Sequence, residues 1–499
     1  MGRGMLARGH FHPGDLFATT LQGGADAGVR EPRLSQSANP ASPAMPKLAW
    51  QRAVGRENGS RYSGLAFSGY APRPMALLRM PLLVFAVAAT VYVLILGPEL
   101  SMTPTRDGHF VHLADSYLHG QLHVRGARPP TYNDWARYEG RWYVTFPPFP
   151  AVLLLPAVAL FGVAVWDRLF WALFAALGPM ALWLLLERLR VSGRSTRTVR
   201  ENLLLTALFG FGSVYFFCAV QGSVWFAAHV VASVLLCLFL LFAIDVRRPL
   251  LAGLCLALSF MTRPTTSLLA GIFAIELLRA ELVQFGWTGA VADLLRRPRL
   301  TRVLRRGALF SAPLLLALVA TLWLNYVRFD DPFVYGHEYL TIRWRPRIER
   351  YGLFAYHYLG RNLGVFLASL PWTLPDAPYV RVSRHGLALW FTTPLLIMLL
   401  WPRREMRWYR AVAVCVGAVA LLDLCYQNSG WIQFGYRFAL DYLVVLFALL
   451  AVGGQRLGKG AMVATLFAFV VNSFGAITFD RMPQFYDNDP SQRVIFQPD

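Results

Sequence analysis

Long apolar segments alternate with short polar segments along most of this chain. The apolar runs begin near residue 80 and recur to about residue 479, and arginines stand in many of the gaps between them. A run of about 20 apolar residues is long enough to cross a bilayer, where a helix closes its own backbone hydrogen bonds. The pattern therefore predicts an all-α, polytopic integral membrane protein with about 11 transmembrane helices.

The predicted spans share a high apolar content and few charges. They are 80–98, 166–187, 202–220, 223–244, two short spans within 249–280, 308–327, 386–401, 411–427, 435–453 and 461–479.

Arginines set the predicted orientation. Arg73 and Arg79 precede the first span, so its beginning faces the cytoplasm, and two outer loops follow at about 99–165 and 329–385. The apolar run 149–163 would place five arginines of 188–200 outside if it crossed, so we interpret it as a juxtamembrane helix. Arg263-Pro264 breaks the block 249–280 into two short helices, which keeps the arginines of 296–306 inside.

The chain ends differ in composition from the middle. Residues 1–74 are rich in Gly, Pro, Ser and Arg and predict a disordered N-terminal tail. We expect the membrane domain to comprise 75–480 and a C-terminal tail to comprise 481–499.

Composition narrows the class of protein further. The 499 residues are 56% hydrophobic and 15% charged, with a net charge of +20. The basic residues are scattered between apolar spans, which fits the positive-inside rule and argues against a nucleic-acid partner. All five cysteines lie in apolar spans, without the spacing of a metal site or a disulfide framework.

The first outer loop is dense in Asp, His, Arg and Tyr. Asp107 follows the first span directly, at headgroup depth, where a carboxylate is placed to act as a general base on an acceptor. The alternative is that Asp107 only caps the helix after it. Asp115 either assists it or faces water. The histidines here lack the spacing of a helical zinc site, so we predict no metal ligands.

Arg263 lies within an apolar block, where an arginine is costly and is kept for a reason. It either binds a phosphate, whose oxygens match the guanidinium fork, or pairs with a structural carboxylate or helix end. Arg437 and Asp441 are four residues apart, which favours an intrahelical ion pair, with phosphate binding by Arg437 as the alternative. We interpret His229 as a satisfied histidine of the bundle.

The second outer loop carries a cluster of basic residues that includes Arg343 and Arg345. Basic residues outside run against the topology rule and indicate a negatively charged partner. The aromatic residues beside them suit either sugar stacking or the membrane-interface belt.

Several motifs resemble those of the GT-C superfamily of membrane glycosyltransferases. They are Asp107-Gly-His-Phe110 with Ala114 and Gly120, Tyr138-x-Gly140-Arg141-x-Tyr143-x2-Phe146-Pro147-Pro148, Gly222-Ser-Val-Trp225 with His229, Thr262-Arg263-Pro264 and Gln433-Phe434-Gly435-Tyr436-Arg437. The chain is most similar to the bacterial group related to protein mannosyltransferases and to lipid A aminoarabinose transferase.

The resemblance implies a GT-C-like fold with a large first outer loop carrying juxtamembrane helices. It implies that Asp107 is the catalytic base and that the donor is a polyprenyl-phosphate sugar. Many members have Asp-Glu where this chain has Asp107-Gly108, which leaves metal dependence open. No separate cofactor is implied.

We therefore predict an inverting glycosyltransferase of the bacterial inner membrane. It moves a sugar from a polyprenyl-phosphate donor to a lipid, glycan or protein acceptor on the periplasmic side. The alternatives are a transporter or flippase of a lipid-linked saccharide and a surface-polysaccharide polymerase or ligase. The predicted catalytic residues are Asp107 and Asp115, and the predicted substrate-binding residues are His109, Arg141, Tyr143, Arg263, Arg343, Arg345, Gln433 and Arg437.

Overall fold

Helices form most of the chain in the computed structural model, which describes residues 74–126, 133–284, 297–403 and 407–486. The predicted N-terminal tail, up to residue 73, and residues 487–499 of the predicted C-terminal tail lie outside the described residues.

The helices follow one another with short connections. In chain order they are α1 Pro74–Ser101, α2 His109–Leu118, α3 Phe149–Phe161, α4 Asp167–Ala175, α5 Leu177–Val191, α6 Val199–Phe211, α7 Val214–Ala219, α8 Val224–Ala243, α9 Pro249–Phe260, α10 Ala270–Gln284, α11 Arg297–Phe329, α12 Arg345–Tyr351, α13 Leu359–Ala368, α14 Leu389–Thr392, α15 Arg407–Leu424, α16 Leu443–Val452 and α17 Lys459–Thr478.

Two small antiparallel hairpins interrupt the helices. One pairs β1 Trp135–Tyr138 with β2 Arg141–Val144, and the other pairs β3 Trp372–Thr373 with β4 Val380–Arg381. Short 3₁₀ segments complete the regular structure at Gly162–Ala164, Ile244–Val246, Pro264–Leu269, His337–Tyr339, Tyr356–Tyr358, Pro394–Leu400, Arg437–Asp441 and Pro483–Phe485.

Five described helical segments are long and apolar enough to cross a membrane. They are Arg79–Ser101, Asp167–Val191, Val224–Val246, Pro298–Phe329 and Lys459–Thr478. The all-α, membrane-spanning class is therefore confirmed, whereas the number of about 11 spans stays a prediction.

Other predicted spans are shorter or broken in the structure. The run 202–220 forms two helices, because α6 ends at Phe211 with Gly212 as its cap and Ser213 then caps the start of α7, where its Oγ accepts a hydrogen bond from the Tyr215 amide at 3.2 Å. The run 386–401 forms only α14 and a 3₁₀ segment that begins at Pro394, which has no amide proton to donate. Neither of these two described stretches is therefore a single regular helix.

Two interpretations of the sequence depended on a proline, and the structure shows a short helix in the first segment and a break in the second. Helix α3 begins with Pro150 in its first turn and has 13 residues, a length of about 20 Å that is too short for a perpendicular crossing. The block 249–280 breaks at Arg263, with α9 on one side and the 3₁₀ segment and α10 on the other.

Segments predicted to lie on the same side of the membrane meet in the structure. At the outer end, the Thr341 amide donates to the Trp135 carbonyl at 3.1 Å and joins the two outer loops. At the opposite end, Ser195 Oγ donates to the Ala451 carbonyl at 2.7 Å. The Arg403 amide donates to the Gly453 carbonyl there at 2.9 Å. The predicted alternation of loops is thus compatible with the fold.

An ion network joins several helices at the predicted inner end. Glu276 on α10 is fully buried, and its carboxylate binds Arg194 at 2.8 Å and Arg279 at 3.2 Å. It also accepts hydrogen bonds from the Asp245 amide and the Trp408 indole, and Asp245 pairs with Arg188 at 2.9 Å. Buried charges are tolerated when they are paired in this way, so the network locks these helix ends together.

Helix α8 occupies the middle of the bundle, since 83% of its most apolar stretch is buried inside the protein. By the same measure only 17% of the apolar stretch of α11 is buried, which places α11 at the periphery. Helix α9 approaches α11 closely at Gly253, where a Cβ atom would stand 2.0 Å from the Phe310 carbonyl oxygen. Small residues allow such close backbone packing between membrane helices.

The predicted orientation can be tested by placing single cysteines at exposed positions in a variant without the five native cysteines. We expect a membrane-impermeant maleimide added to intact spheroplasts to label cysteines at Leu118 and Arg350, but to label those at Thr196 and Thr301 only after lysis. Labelling at Thr196 from outside would contradict a non-spanning α3.

Candidate active site

A cavity of about 430 Å³ opens between the outer loops and the helix ends beneath them. Its walls combine titratable side chains with aromatic rings. The titratable side chains are Asp134, His229, Arg263, His337, Asp423 and Arg437, and the aromatic ones include Phe146, Trp225, Tyr335, Trp344, Phe354, Tyr426, Trp431 and Phe438. A concave site with an apolar wall and a few polar groups is the usual form of a small-molecule site.

Asp134 brings a carboxylate to the cavity wall. It precedes β1 with a positive φ of 59°, and its Oδ2 accepts a 2.8 Å hydrogen bond from Trp225 Nε1 at the start of α8. The pKa of Asp134 is raised to about 6, mainly by burial and to a smaller extent by the negative charge of Asp107, while Trp225 and Arg437 act in the opposite direction. A carboxylate with a pKa near 6 is suited to accept protons close to neutral pH.

Asp107 lies beside Asp134 in a loop that other residues anchor. The Thr105 amide donates to Asp167 Oδ1 at 2.7 Å, and the Asp107 carbonyl accepts from the Val224 amide at 3.3 Å. Asp107 is half-buried and is not among the residues that line the cavity. The alternative that Asp107 caps α2 is wrong, because the cap residue is Gly108 and no side chain caps this helix.

His109 packs against the main chain close to Asp107 and Asp134. Its ring stacks on Trp135 with centroids 4.0 Å apart, and its Nε2 is 2.9 Å from the Asn133 carbonyl oxygen. Burial lowers the pKa of His109 to about 4, so the ring is neutral at physiological pH. His109 does not line the cavity. Its contacts hold the Asn133-Asp134 turn in place.

Arg263, on the cavity wall, forms a bidentate ion pair with the buried Asp441. Its Nε lies 3.0 Å from Asp441 Oδ1, and its Nη2 lies 2.7 Å from Asp441 Oδ2. His229 Nδ1 lies 3.1 Å from the same Oδ1. The predicted pair of Arg437 with Asp441 is therefore wrong, because residues 437–441 form a 3₁₀ segment, in which residues four apart do not share a face.

Arg437 extends along the cavity wall instead. Its Nη1 donates to the Ile432 carbonyl at 2.9 Å, and its guanidinium lies 5.2 Å from the centre of the Phe226 ring. Its amide donates to Gln433 Oε1 at 2.9 Å, while Gln433 Nε2 donates to two carbonyl oxygens at 2.7 Å each. Gln433 is buried and does not line the cavity, so it positions the Arg437 segment.

Two predicted site residues of the first outer loop lie elsewhere. Asp115 pairs with Arg125 at 3.2 Å, and Tyr143 packs on Phe329 with ring centroids 5.3 Å apart. Neither lines the cavity. Arg141 is exposed and lines a separate small polar pocket together with Arg125.

The basic cluster of the second outer loop also lies outside the cavity. Arg343 is exposed, and Arg345 Nε pairs with Glu349 at 2.7 Å on the surface. The same loop contributes His337 and Trp344 to the cavity wall, and burial lowers the pKa of His337 to about 4. The loop therefore reaches the cavity through its aromatic and imidazole side chains.

The sequence analysis missed Asp134 and Asp423. Asp134 belongs to no motif of paired acidic residues, and only the folding of the first outer loop onto Trp225 brings it to the cavity. Asp423 stands near the end of an apolar span, where a carboxylate is rare enough to be a signal of function in itself.

Within the described ranges, no group of three or more His, Cys, Asp or Glu side chains is arranged to hold a metal ion. The expectation that the protein needs no cofactor stays a prediction.

Comparison with known proteins gives structural neighbours only. No family model matches the sequence, and no curated protein sequence matches it. Among solved structures, the similar ones include GT-C superfamily glycosyltransferases, the family that the sequence motifs resemble.

One neighbour is ArnT from Cupriavidus metallidurans, bound to undecaprenyl phosphate, with 16% identity over 79% of this chain and 63% of that chain and a TM-score of 0.44. Another is the oligosaccharyltransferase AglB from Archaeoglobus fulgidus, in complex with an inhibitory peptide and a dolichol-phosphate, with 13% identity over 83% of this chain and 56% of that chain and a TM-score of 0.40. This chain thus spans less than two thirds of either protein. Similarity at this level assigns no reaction or residue role to this chain.

Substitution of Arg263 tests whether this side chain binds phosphate. The sequence predicts a polyprenyl-phosphate donor, and under that prediction we expect Arg263→Ala to weaken binding of undecaprenyl phosphate by about 10- to 100-fold, the range for a lost hydrogen bond to a charged group. Arg263→Lys should restore it only in part, because lysine keeps the charge but loses the fork. Equilibrium binding of radiolabelled undecaprenyl phosphate to the purified variants measures this.

The exposed Arg350 offers a matched control for the Arg263 variants, since Arg350→Ala removes a guanidinium outside the cavity. Thermal unfolding of each variant shows whether loss of the ion pair with Asp441 has caused a folding defect rather than a binding defect. Wild-type binding by a folded Arg263→Ala protein would leave Arg263 with the structural role alone.

Proposed function

We propose that this protein is a membrane glycosyltransferase that uses a polyprenyl-phosphate sugar as its donor. The observation that carries the proposal is the cavity, whose wall holds the Asp134 carboxylate and two arginines at the same end of a membrane helix bundle, with Asp107 next to Asp134 behind the wall. Carboxylates suit removal of a proton from an acceptor, and arginines suit stabilisation of a phosphate leaving group. A transporter would need the arginines but no base.

The proposed reaction has one displacement at the anomeric carbon. Asp107 takes the proton from an acceptor hydroxyl or amine, and the acceptor atom forms the new bond to the anomeric carbon. The bond between that carbon and the phosphate oxygen breaks, and its electron pair leaves with the polyprenyl phosphate. Attack from the face opposite the leaving group inverts the anomeric configuration.

The two arginines act on the departing phosphate in different ways. Arg263 is held in a fixed orientation by Asp441 through Nε and Nη2, which leaves Nη1 without a hydrogen bond to the residues that the structure describes. Arg437 is bound to the protein through Nη1, whereas its Nε has no hydrogen-bond partner in the described part of the chain. A guanidinium fixed before the reaction stabilises the developing charge without a reorganisation penalty.

Asp134 interacts electrostatically with Asp107, whose negative charge raises the pKa of Asp134. Two carboxylates close together hold protons more tightly than either does alone, because a second negative charge disfavours ionisation. The Trp225 hydrogen bond keeps Asp134 in position for this effect. Asp134 is thus proposed as a second carboxylate of the site, with Asp107 as the base.

The proposed setting is the bacterial inner membrane, with the cavity facing the periplasm. The acceptor is a lipid, glycan or protein at that face. The donor carries its own membrane anchor, so it can reach the cavity from the bilayer, whereas nucleotide sugars are confined to the cytoplasm.

A transfer assay tests the proposal directly. Purified protein in liposomes is given a series of radiolabelled undecaprenyl-phosphate sugars together with an envelope extract of the host bacterium as the acceptor source. We propose that label moves from one of these lipids to the acceptor fraction as undecaprenyl phosphate is released. Movement of intact donor between leaflets without transfer would instead support the flippase alternative.

Asp107→Asn separates a catalytic base from a structural residue, because it keeps the shape and removes the charge. We expect the variant to fold and bind undecaprenyl phosphate normally but to lose transfer by about 10²–10⁴-fold, the usual contribution of general-base catalysis. The measurement is the transfer rate at saturating donor, with Asp115→Asn as a comparison at the aspartate paired with Arg125. Full activity of the Asp107 variant would remove this residue from the mechanism.

The pH profile reports the coupling between the two aspartates. The pKa of Asp134 is raised to about 6, so this carboxyl becomes protonated as the pH falls through this value. We expect transfer to be maximal above pH 6 and to decline below it. In Asp134→Asn no carboxyl titrates at this position, so we expect the acidic limb to move to lower pH. An unchanged limb would show that Asp134 does not act on the base.

A further inference from the structure

Asp423 is a second buried carboxylate of the cavity, and the reaction proposed above does not use it. It stands at the end of α15, one residue before the last of the helix, and only 2% of its surface is exposed. It lines the same cavity as Arg263, Tyr426 and Trp431. Its position at the wall calls for an explanation, because a buried carboxylate is costly without partners.

The neighbouring Asp441 shows what a satisfied carboxylate looks like here. Both of its oxygens are bonded, Oδ1 to Arg263 and His229 and Oδ2 to Arg263 and Thr265. Asp423 differs, since its Oδ2 has no hydrogen-bond partner within the described residues. Arg263 is already committed to Asp441, so the protein leaves one carboxylate oxygen of the cavity wall available.

The chemistry of this oxygen restricts what can meet it. The ester phosphate of the donor offers acceptor oxygens, which cannot donate a hydrogen bond to Asp423 Oδ2, and it is better placed against the guanidinium groups of Arg437 and Arg263. A hydroxyl group is a neutral donor and satisfies the oxygen without bringing a second anion into the cavity. Aromatic rings beside it, such as Tyr426 and Trp431, offer faces on which the apolar side of a sugar ring packs.

We propose that Asp423 determines which sugar is accepted, by taking a hydrogen bond from one hydroxyl of the transferred sugar through Oδ2. The inference rests on the proposed function in one respect, that this cavity receives the sugar of the donor. The phosphate and the sugar then occupy different parts of the wall, with arginine on one side and Asp423 on the other.

The proposal predicts discrimination between a sugar and its deoxy analogue. Removal of the hydroxyl leaves the buried oxygen unpartnered in the complex, and a site built to hydrogen-bond a hydroxyl rejects an analogue that lacks it. We expect the analogue to bind wild type about 10- to 100-fold more weakly than the parent sugar lipid. Bare undecaprenyl phosphate carries no hydroxyl at this point and should not sense Asp423.

The experiment measures binding rather than transfer. Radiolabelled undecaprenyl phosphate is displaced from full-length protein in nanodiscs by undecaprenyl-phosphate glucose, mannose, galactose or arabinose, and by analogues of the tightest binder that lack one hydroxyl each. We expect one analogue to bind wild type more weakly and to bind Asp423→Ala as well as its parent does. Asp423→Asn, which keeps the shape, should show a reduced difference, and both variants should bind bare undecaprenyl phosphate like wild type.

Asp376→Asn, an aspartate exposed in the β3–β4 turn, is the matched control and should keep the full wild-type discrimination. The proposal is overturned if no single deoxy analogue binds wild type more weakly than its parent. It is also overturned if folded Asp423→Ala keeps the discrimination. If either of these results is found but the protein still transfers sugar, the proposed function stands without this role for Asp423. Hydroxyl discrimination without any transfer would support the role of Asp423 and contradict the glycosyltransferase proposal.

Discussion

The ion pair between Arg263 and Asp441 is the interaction on which the outer half of the structure depends. It forms where an apolar block breaks at Pro264, so the arginine leaves one helix end and meets a carboxylate 178 residues further along the chain. Breaking a buried pair by removing one partner costs about 3–5 kcal/mol, because the other charge is left without compensation. This pair therefore holds the 3₁₀ segment after Arg263 against the segment 437–441 and fixes one wall of the cavity.

Much of the helical architecture could be predicted from apolar periodicity and arginine placement, because bilayer thickness and the positive-inside rule act directly on the sequence. The long spans at Arg79–Ser101 and Val224–Val246 are of this kind. The broken segments after Gly212 and before Pro394 are harder to predict. Their apolar content is that of a span, while their helix ends are decided by single residues such as Ser213.

The site residues also divide into those that the sequence predicts and those that it does not. Arg263 could be identified because an arginine is conspicuous in an apolar block, yet its partner could not, since spacing alone favoured a pair between Arg437 and Asp441. Asp134 could not be identified from the sequence, because its importance comes from the tertiary contact with Trp225 and from burial. Conversely, the exposed Arg343 and Arg345 were predicted to bind substrate because of their charge, although the structure places them outside the cavity.

The ion network around Glu276 has a consequence for the end of the bundle opposite the cavity. It ties α10 to the ends of α5 and α8 and to the start of α15 on the side opposite the cavity, through a buried carboxylate that Arg194, Arg279 and Trp408 contact. Separation of the helices at this end would break several buried ion pairs, and each charge left without its partner is costly. The cavity opens at the other end of the bundle, so it can be filled or emptied while the Glu276 network stays intact.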